Sequence, residues 1–280
     1  MPDLPIVDAH VHFWDRDAVP IEWTAQVPAI DRPFLPADYP AEVEALVFVE
    51  ADVAPGRHLD EVAWVEGLAA RDPRIAAIVA HAPLERGEAA LPDLDRLAAD
   101  PLVRGVRRLI QGRDAAALCA DEGFGSAVRA LAPRDLHFEL CLTHDQLPPA
   151  AALCEACPGV RFVLDHIGKP PIRAGGLDPW RAEIDRLAAL PNVVCKLSGV
   201  ATEAHHDAWT PEALLPYMRH ALGAFGAGRT LYGSDWPVAR LAIDLGRWVD
   251  LVEEAMEDLS EAERREVFAG TARRVYRLRD

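Results

Sequence analysis

Eight times along this chain a short apolar run of strand length is followed by an amphipathic run of helix length, and that alternation restricts the fold more than any other feature. The apolar runs cover 6–14, 46–51, 75–81, 103–110, 137–142, 160–167, 193–200 and 229–236. Most are apolar on both faces, which suits strands buried in a parallel sheet joined by right-handed helical crossovers. Eight such units in 280 residues predict one domain over 1–280, an α/β closed (β/α)8 TIM barrel. An open doubly wound sheet is the alternative, and the lack of a Gly-rich phosphate loop after the first run counts against it. Helices are expected near 60–71, 91–99, 123–132, 147–156, 179–189, 211–225, 245–258 and 260–276. The last opens with a capping box, Ser260-x-x-Glu263.

A barrel of this kind does its chemistry at the C-terminal ends of its strands, so the polar residues there can be collected in order. In the first run, Ile-Val-Asp-Ala-His-Val-His-Phe-Trp, the period of two puts His10 and His12 on one face, one pleat apart. Such a pair can grip one metal ion or one substrate, or be two satisfied core histidines. The second run ends at Glu50, equally readable as a solvated loop acid, and the third at His81. Arg107 and Arg108 have opposite parity, so only one points inward, and Arg108 is expected to face a helix carboxylate. His144 follows the fifth run; it and His81 also read as packing or capping residues. The sixth ends Asp165-His166-Ile167-Gly168-Lys169-Pro170, where Gly168 and Pro170 hold a turn between His166 and Lys169. Asp165 itself is expected to face a helix or cap a turn. Lys196 and Ser198 share one face of the seventh run. The eighth ends Gly233-Ser234-Asp235-Trp236-Pro237, and closure would bring Asp235 beside His10 and His12. Residues 15–39 read as a long ordered loop over this end, with Trp14, Trp23 and Phe34 as an apolar wall.

Composition narrows the partners. A net charge of −16 argues against a nucleic-acid groove or an anionic membrane surface, and no apolar run approaches the roughly 20 residues that span a bilayer. Five cysteines, an odd number, point to reduced thiols and a cytoplasmic protein. Cys154-x-x-Cys157 has no second pair with which to bind zinc, and it reads as two helix residues. Only Lys169 and Lys196 are lysines among 29 basic residues, so each is a candidate for work that needs a compact ammonium.

Four segments together resemble a known family: Val7-Asp8-Ala9-His10-Val11-His12-Phe13-Trp14, His166 to Pro170, Lys196-Leu197-Ser198-Gly199, and Tyr232-Gly233-Ser234-Asp235-Trp236-Pro237. They are similar, in order along the chain, to the amidohydrolase superfamily, and most to its amidohydrolase-2 group of sugar lactonases and pyrone-dicarboxylate lactonase. The resemblance implies a (β/α)8 barrel that hydrolyses a small lactone. It implies His10, His12, His166 and Asp235 as the catalytic set, with Asp235 as acid and base. His10, His12, Asp235 and Glu50 would be metal ligands, with zinc the expected ion and metal-free action the alternative. Arg107, Lys169, Lys196, Trp14, Glu50, His81 and His144 would be substrate contacts. Relatives often carry a bulky apolar residue near His81 and an Arg-Pro pair where Thr143-His144 stands. The partner implied is a small lactone or carboxylate, and self-association is left open. Two rival readings are a zinc-dependent decarboxylase with His144 as a third histidine ligand, and a barrel that binds a small acid without turning it over.

Overall fold

The computed structural model describes residues 4–278; residues 1–3 and 279–280 of the expected domain lie outside the described residues. The β-branched and aromatic residues of the eight apolar runs form eight strands. These are β1 (Val7–Val11), β2 (Ala45–Val49), β3 (Ile75–His81), β4 (Val103–Arg107), β5 (His137–Leu140), β6 (Phe162–Leu164), β7 (Val193–Leu197) and β8 (Thr230–Tyr232). All pair in parallel in the order of the chain. The ring is closed just above β8, where Val11 bridges Trp236, the His12 amide donates to Trp236 O (2.8 Å) and the Asp235 amide to His10 O (2.9 Å). The TIM-barrel expectation holds, and the open sheet is set aside.

The helices outside the ring are α1 (His58–Ala69), α2 (Leu91–Ala99), α3 (Ala115–Ala120), α4 (Glu122–Arg129), α5 (Leu147–Ala156), α6 (Trp180–Ala188), α7 (Pro211–Phe225), α8 (Leu245–Ala255), α9 (Glu261–Arg265) and α10 (Thr271–Tyr276). Local chemistry sets several starts. Asp121 accepts the Phe124 amide at the head of α4, Asp244 does the same for Arg247 at α8, and Ser260 with Glu263 forms the expected capping box at α9. Three expectations need correction. The region before α4 holds a further helix, α3, that alanine-rich sequence leaves without a clear period. The expected final helix is broken by a π-helical turn at Glu266–Gly270. Every strand but β3 stops two or more residues short of the C-terminal end of its apolar run, because the backbone leaves the strand conformation to place the site.

Two apolar layers hold the frame. One packs the outer faces of the strands against the helices and is anchored by Phe13, Phe124, Phe138, Phe162, Trp180 and Trp248. The other, of small and β-branched residues such as Val7, Ala9, Val47, Val79 and Val163, meets Ala272, Val275 and Tyr276 of α10. No helix among the described residues is long and apolar enough to cross a membrane.

Candidate active site

Over the C-terminal ends of the strands lies a cavity of about 360 Å³ whose lining includes His12, Arg107, His166, Lys169 and Asp235, with Trp23, Asp52, Gln111 and Cys141 around them. Its polar groups are set by the strand ends. Asp8 is buried in β1 and ties the seam of the barrel: Oδ1 accepts the amides of His10 (3.1 Å) and Ser234 (2.8 Å), and Oδ2 accepts the Tyr39 hydroxyl (2.7 Å). Trp236 is wedged edge-on among Phe13, Phe34 and Tyr39, which fixes the segment that carries Asp235. The result is a compact triangle. His10 Nε2 and His12 Nε2 are 3.2 Å apart, and Asp235 Oδ1 lies 3.7 and 3.5 Å from them.

The fourth member comes from an unusual stretch of backbone. His166, Ile167, Gly168 and Lys169 all have positive φ (54°, 47°, 70° and 43°), a left-handed turn at the end of β6. A β-branched residue such as Ile167 is strained there, and such strain concentrates at functional sites. Ile167 is buried and its carbonyl accepts the Trp180 indole N–H (2.8 Å), which helps hold the turn. His166 Nδ1 pairs with Ser198 Oγ at 2.9 Å. Gly199 is required beside it: its φ is +60°, and a Cβ would stand 2.6 Å from His166 Nδ1 and 2.9 Å from Asp235 Oδ2.

Beneath the triangle lies a buried lattice of charges. Arg107 donates through Nε to Glu50 Oε1 (2.6 Å), through Nη2 to Glu50 O (2.6 Å) and through Nη1 to Asp165 Oδ2 (3.2 Å). Lys196 Nζ donates to Glu139 Oε2 (2.5 Å) and lies 3.1 Å from Asp165 Oδ1 and 3.2 Å from His10 Nδ1. Glu139 Oε1 also accepts the Tyr276 hydroxyl (2.7 Å), linking the site to α10. Burial of ions on this scale is tolerable only because each has partners.

These surroundings set the protonation states. Burial lowers His166 to about 4, partly opposed by Asp235 and Asp165, so it is a neutral imidazole. Burial and the Lys196 ammonium push His10 well down. Burial alone would raise Asp235, but His166, His12 and His10 outweigh it and hold the carboxylate below its usual range. Asp165 is likewise held down, against burial, by Lys196, His10 and Arg107.

The donor set fits a metal ion. Tetrahedral zinc with ligands roughly 2.0–2.1 Å away puts those ligands about 3.3 Å apart, which the His10, His12 and Asp235 spacings approach. His12 Nδ1 donates to Val49 O (2.7 Å), leaving Nε2 as a lone pair facing the triangle. His10, His166 and Asp235 also offer atoms close enough to share an ion.

The amidohydrolase family model matches residues 7–278. The chain belongs to the amidohydrolase family. Among curated relatives, the L-fucono-1,5-lactonase of Burkholderia ambifaria is 35% identical over 284 residues, covering 97% of this chain and 95% of that protein. Among solved structures, an amidohydrolase from Burkholderia multivorans with bound zinc is 34% identical, with a TM-score of 0.86, covering 98% of this chain and all of that one. The 5-carboxyvanillate decarboxylase of Sphingomonas paucimobilis, 14% identical with a TM-score of 0.66 over 99% of this chain and all of that one, shares the fold alone.

The amidohydrolase site collects His12, His166, Asp235, Arg107 and Lys169 at one cavity, with fully buried His10 against His12 and Asp235, and leaves other expected contacts outside it. Trp14 is buried, its indole N–H donating to Arg32 O (2.8 Å); it packs edge-on behind Trp23, which is the ring that reaches the cavity. Lys196 is fully buried below His10, with its ammonium taken by carboxylates, so it does not face a substrate. Glu50, expected as a ligand, spends its carboxylate on Arg107 and the Asp52 amide (2.8 Å) and belongs to none of the metal-capable groups among the described residues. His81 stands 4.0 Å from Glu50, behind the site, and His144 Nδ1 donates to Lys169 O (3.2 Å), steadying the left-handed turn. Arg108 forks onto Glu85 (2.7 and 2.9 Å), as expected. Asp165 is a correction: it faces neither helix nor turn but sits in the buried lattice, since the turn that follows it swings His166 outward. Asp8, Glu139, Tyr276, Asp52 and Gln111 were not singled out. Asp8 and Glu139, charges inside apolar strands, carried the signal that could have found them.

Proposed function

We propose that this amidohydrolase is a lactonase that opens a neutral, polyhydroxylated sugar-acid lactone in the cytoplasm, using His10, His12, His166 and Asp235. The observation that carries the chemistry is the triangle of His10, His12 and Asp235 at the cavity, with neutral His166 beside it. Full-length similarity to L-fucono-1,5-lactonases supports the substrate class. The electrostatics support a neutral substrate over a dicarboxylated one. Arg107, the residue best shaped to clamp a carboxylate, is already saturated by Glu50 and Asp165. Lys169 donates to Gln111 Oε1 (2.5 Å), which leaves the cavity one ammonium and not the pair of cations that two carboxylates would call for. With Asp52 and Gln111 it offers donors and acceptors suited to hydroxyl groups.

In this reading Asp235, ionised across the ordinary pH range, accepts the proton of the attacking water and returns it to the ring oxygen as the ester C–O bond breaks. Water adds to the carbonyl carbon, the ring oxygen leaves as a hydroxyl, and the product is the open hydroxy acid. His166 donates or accepts one hydrogen bond at the reacting centre without a charge of its own. His10, His12 and Asp235 would hold a zinc ion, which when bound supplies Lewis-acid polarisation and a more acidic water.

The test is a proton-release screen of aldonolactones and carboxylated lactones above the spontaneous rate, run with stripped and zinc-loaded protein. Neutral aldonolactones are expected to be opened, and faster with zinc. Turnover confined to carboxylated lactones would refute the substrate class; no turnover on either would refute the lactonase reading.

A further inference from the structure

Both edges of the His10 ring are engaged, and they compete. Nε2 faces the site, 3.2 Å from His12 Nε2, 3.4 Å from Arg107 Nη1 and 3.7 Å from Asp235 Oδ1. Nδ1 faces inward, 3.2 Å from Lys196 Nζ and 3.4 Å from Asp165 Oδ1. An imidazole nitrogen facing an ammonium and a carboxylate at nearly equal distance can accept from the first or donate to the second, and not both. Lys196 cannot step aside. It is fully buried, and its ammonium is held by Glu139, which Tyr276 and His137 fix in place (2.7 and 3.2 Å), and by Asp165 Oδ1 at 3.1 Å.

We propose that Lys196 and Asp165 select between two tautomers of neutral His10, and so between a resting site and one ready to take a metal ion. The proposal rests on His10 serving the site through Nε2. In the resting form Lys196 donates to Nδ1, and the ring proton sits on Nε2. That proton is donated to His12 Nε2 and His12 Nδ1–H donates to Val49 O, while Arg107 Nη1, 3.4 Å from Nε2, donates to Asp165 Oδ2 (3.2 Å). In the ready form Nδ1–H donates to Asp165 Oδ1, an oxygen that has no well-aligned hydrogen bond in the present arrangement. His10 and His12 then turn two lone pairs toward each other across 3.2 Å, which is repulsive until a cation lies between them. A divalent ion is such a cation. The change releases one proton from Nε2 and takes one up at Nδ1; Lys196 stays an ammonium and Asp165 a carboxylate. Lys196 therefore opposes metal uptake and Asp165 favours it, as a carboxylate behind a ligating histidine does.

Long-range proton–nitrogen spectra of protein labelled with ¹⁵N-histidine read the tautomers directly. Stripped of metal, His10 is expected to carry its proton on Nε2 and His12 on Nδ1; one equivalent of zinc moves the His10 proton to Nδ1. The paired variant Lys196→Met with Glu139→Gln, which removes one charge of each sign, is expected to show Nδ1–H without zinc. It should also bind zinc about tenfold more tightly in competition with a chromogenic chelator. Were Lys196 only a structural support, zinc binding would weaken instead. His10 protonated on Nδ1 in the stripped parent overturns the proposal, as does weaker zinc binding by a variant of unchanged circular dichroism. If the variant fails to fold, the parent spectra decide alone. If zinc does not bind the parent at all, the link to metal uptake is refuted, whereas loss of lactone turnover with the tautomer shift intact refutes only the proposed reaction.

Discussion

Gly199→Ala is a small change with a large predicted effect, because the added methyl has nowhere to go. The new Cβ would lie 2.6 Å from His166 Nδ1 and 2.9 Å from Asp235 Oδ2, whereas ordinary contact begins at 3.4 Å. Two site groups must therefore retreat by about 0.8 and 0.5 Å, the differences between those distances and 3.4 Å. Misplacing a reacting group by about 1 Å can cost on the order of 10²-fold in rate, so kcat/KM should fall by roughly 30- to 100-fold. The φ of +60° adds a backbone penalty of about 1–2 kcal/mol for a residue with a Cβ. Gly226→Ala separates the two effects: its φ is +71°, and nothing lies within 4 Å of the added atom. With ψ at 162° Gly226 lies in a region open almost only to glycine, whereas Gly199 is left-handed (ψ 11°), so this variant should carry the larger backbone penalty with kcat/KM unchanged. The assay is lactone turnover alongside urea unfolding of both variants. Gly199→Ala protein with kcat/KM within threefold of the parent would show that the spacing of His166 and Asp235 is not what catalysis depends on.

Asp235→Asn keeps the shape of the side chain but cannot accept the water proton, so kcat should fall by roughly 10²- to 10⁴-fold with KM within a few-fold; comparable losses in both, by steady-state kinetics, would contradict the general-base role. Acid should destabilise the fold before it disarms the site. The His166 value falls from 6.5 in the unfolded chain to about 4 when folded, so the unfolded chain binds that proton first, and stability is lost as pH drops from 6.5 towards 4. Below 4 that contribution is flat, and the depressed carboxylates Asp165 and Asp235 continue the loss in the same direction. Urea midpoints should fall steadily between pH 6.5 and 4 while kcat of the metal-free protein shows no inflection from His166 over pH 5.5–8; a midpoint independent of pH there would mean that His166 is not buried as a neutral ring.

The barrel was legible because its cause is periodic. Strand and helix lengths and apolar faces recur eight times, and parallel pairing with short crossovers leaves few ways to arrange them. The residues at strand ends follow from the same logic, which is why His10, His12, His166 and Asp235 could be collected before any coordinates. Tertiary structure decided what each charge is paired with. Arg107 and Lys196 read alike in sequence, as inward cations suited to a substrate carboxylate. Only the closed ring shows that Glu50, just after β2, Glu139 of β5 and Asp165, just after β6, already satisfy them. The left-handed turn at 166–169 was equally hidden, since a β-branched residue gives no local sign that it will be held at positive φ. Period and hydrophobicity are properties of neighbours along the chain and can be read from it. Ion pairing and backbone strain depend on partners brought from far along the chain, and those exist only after the strands have closed.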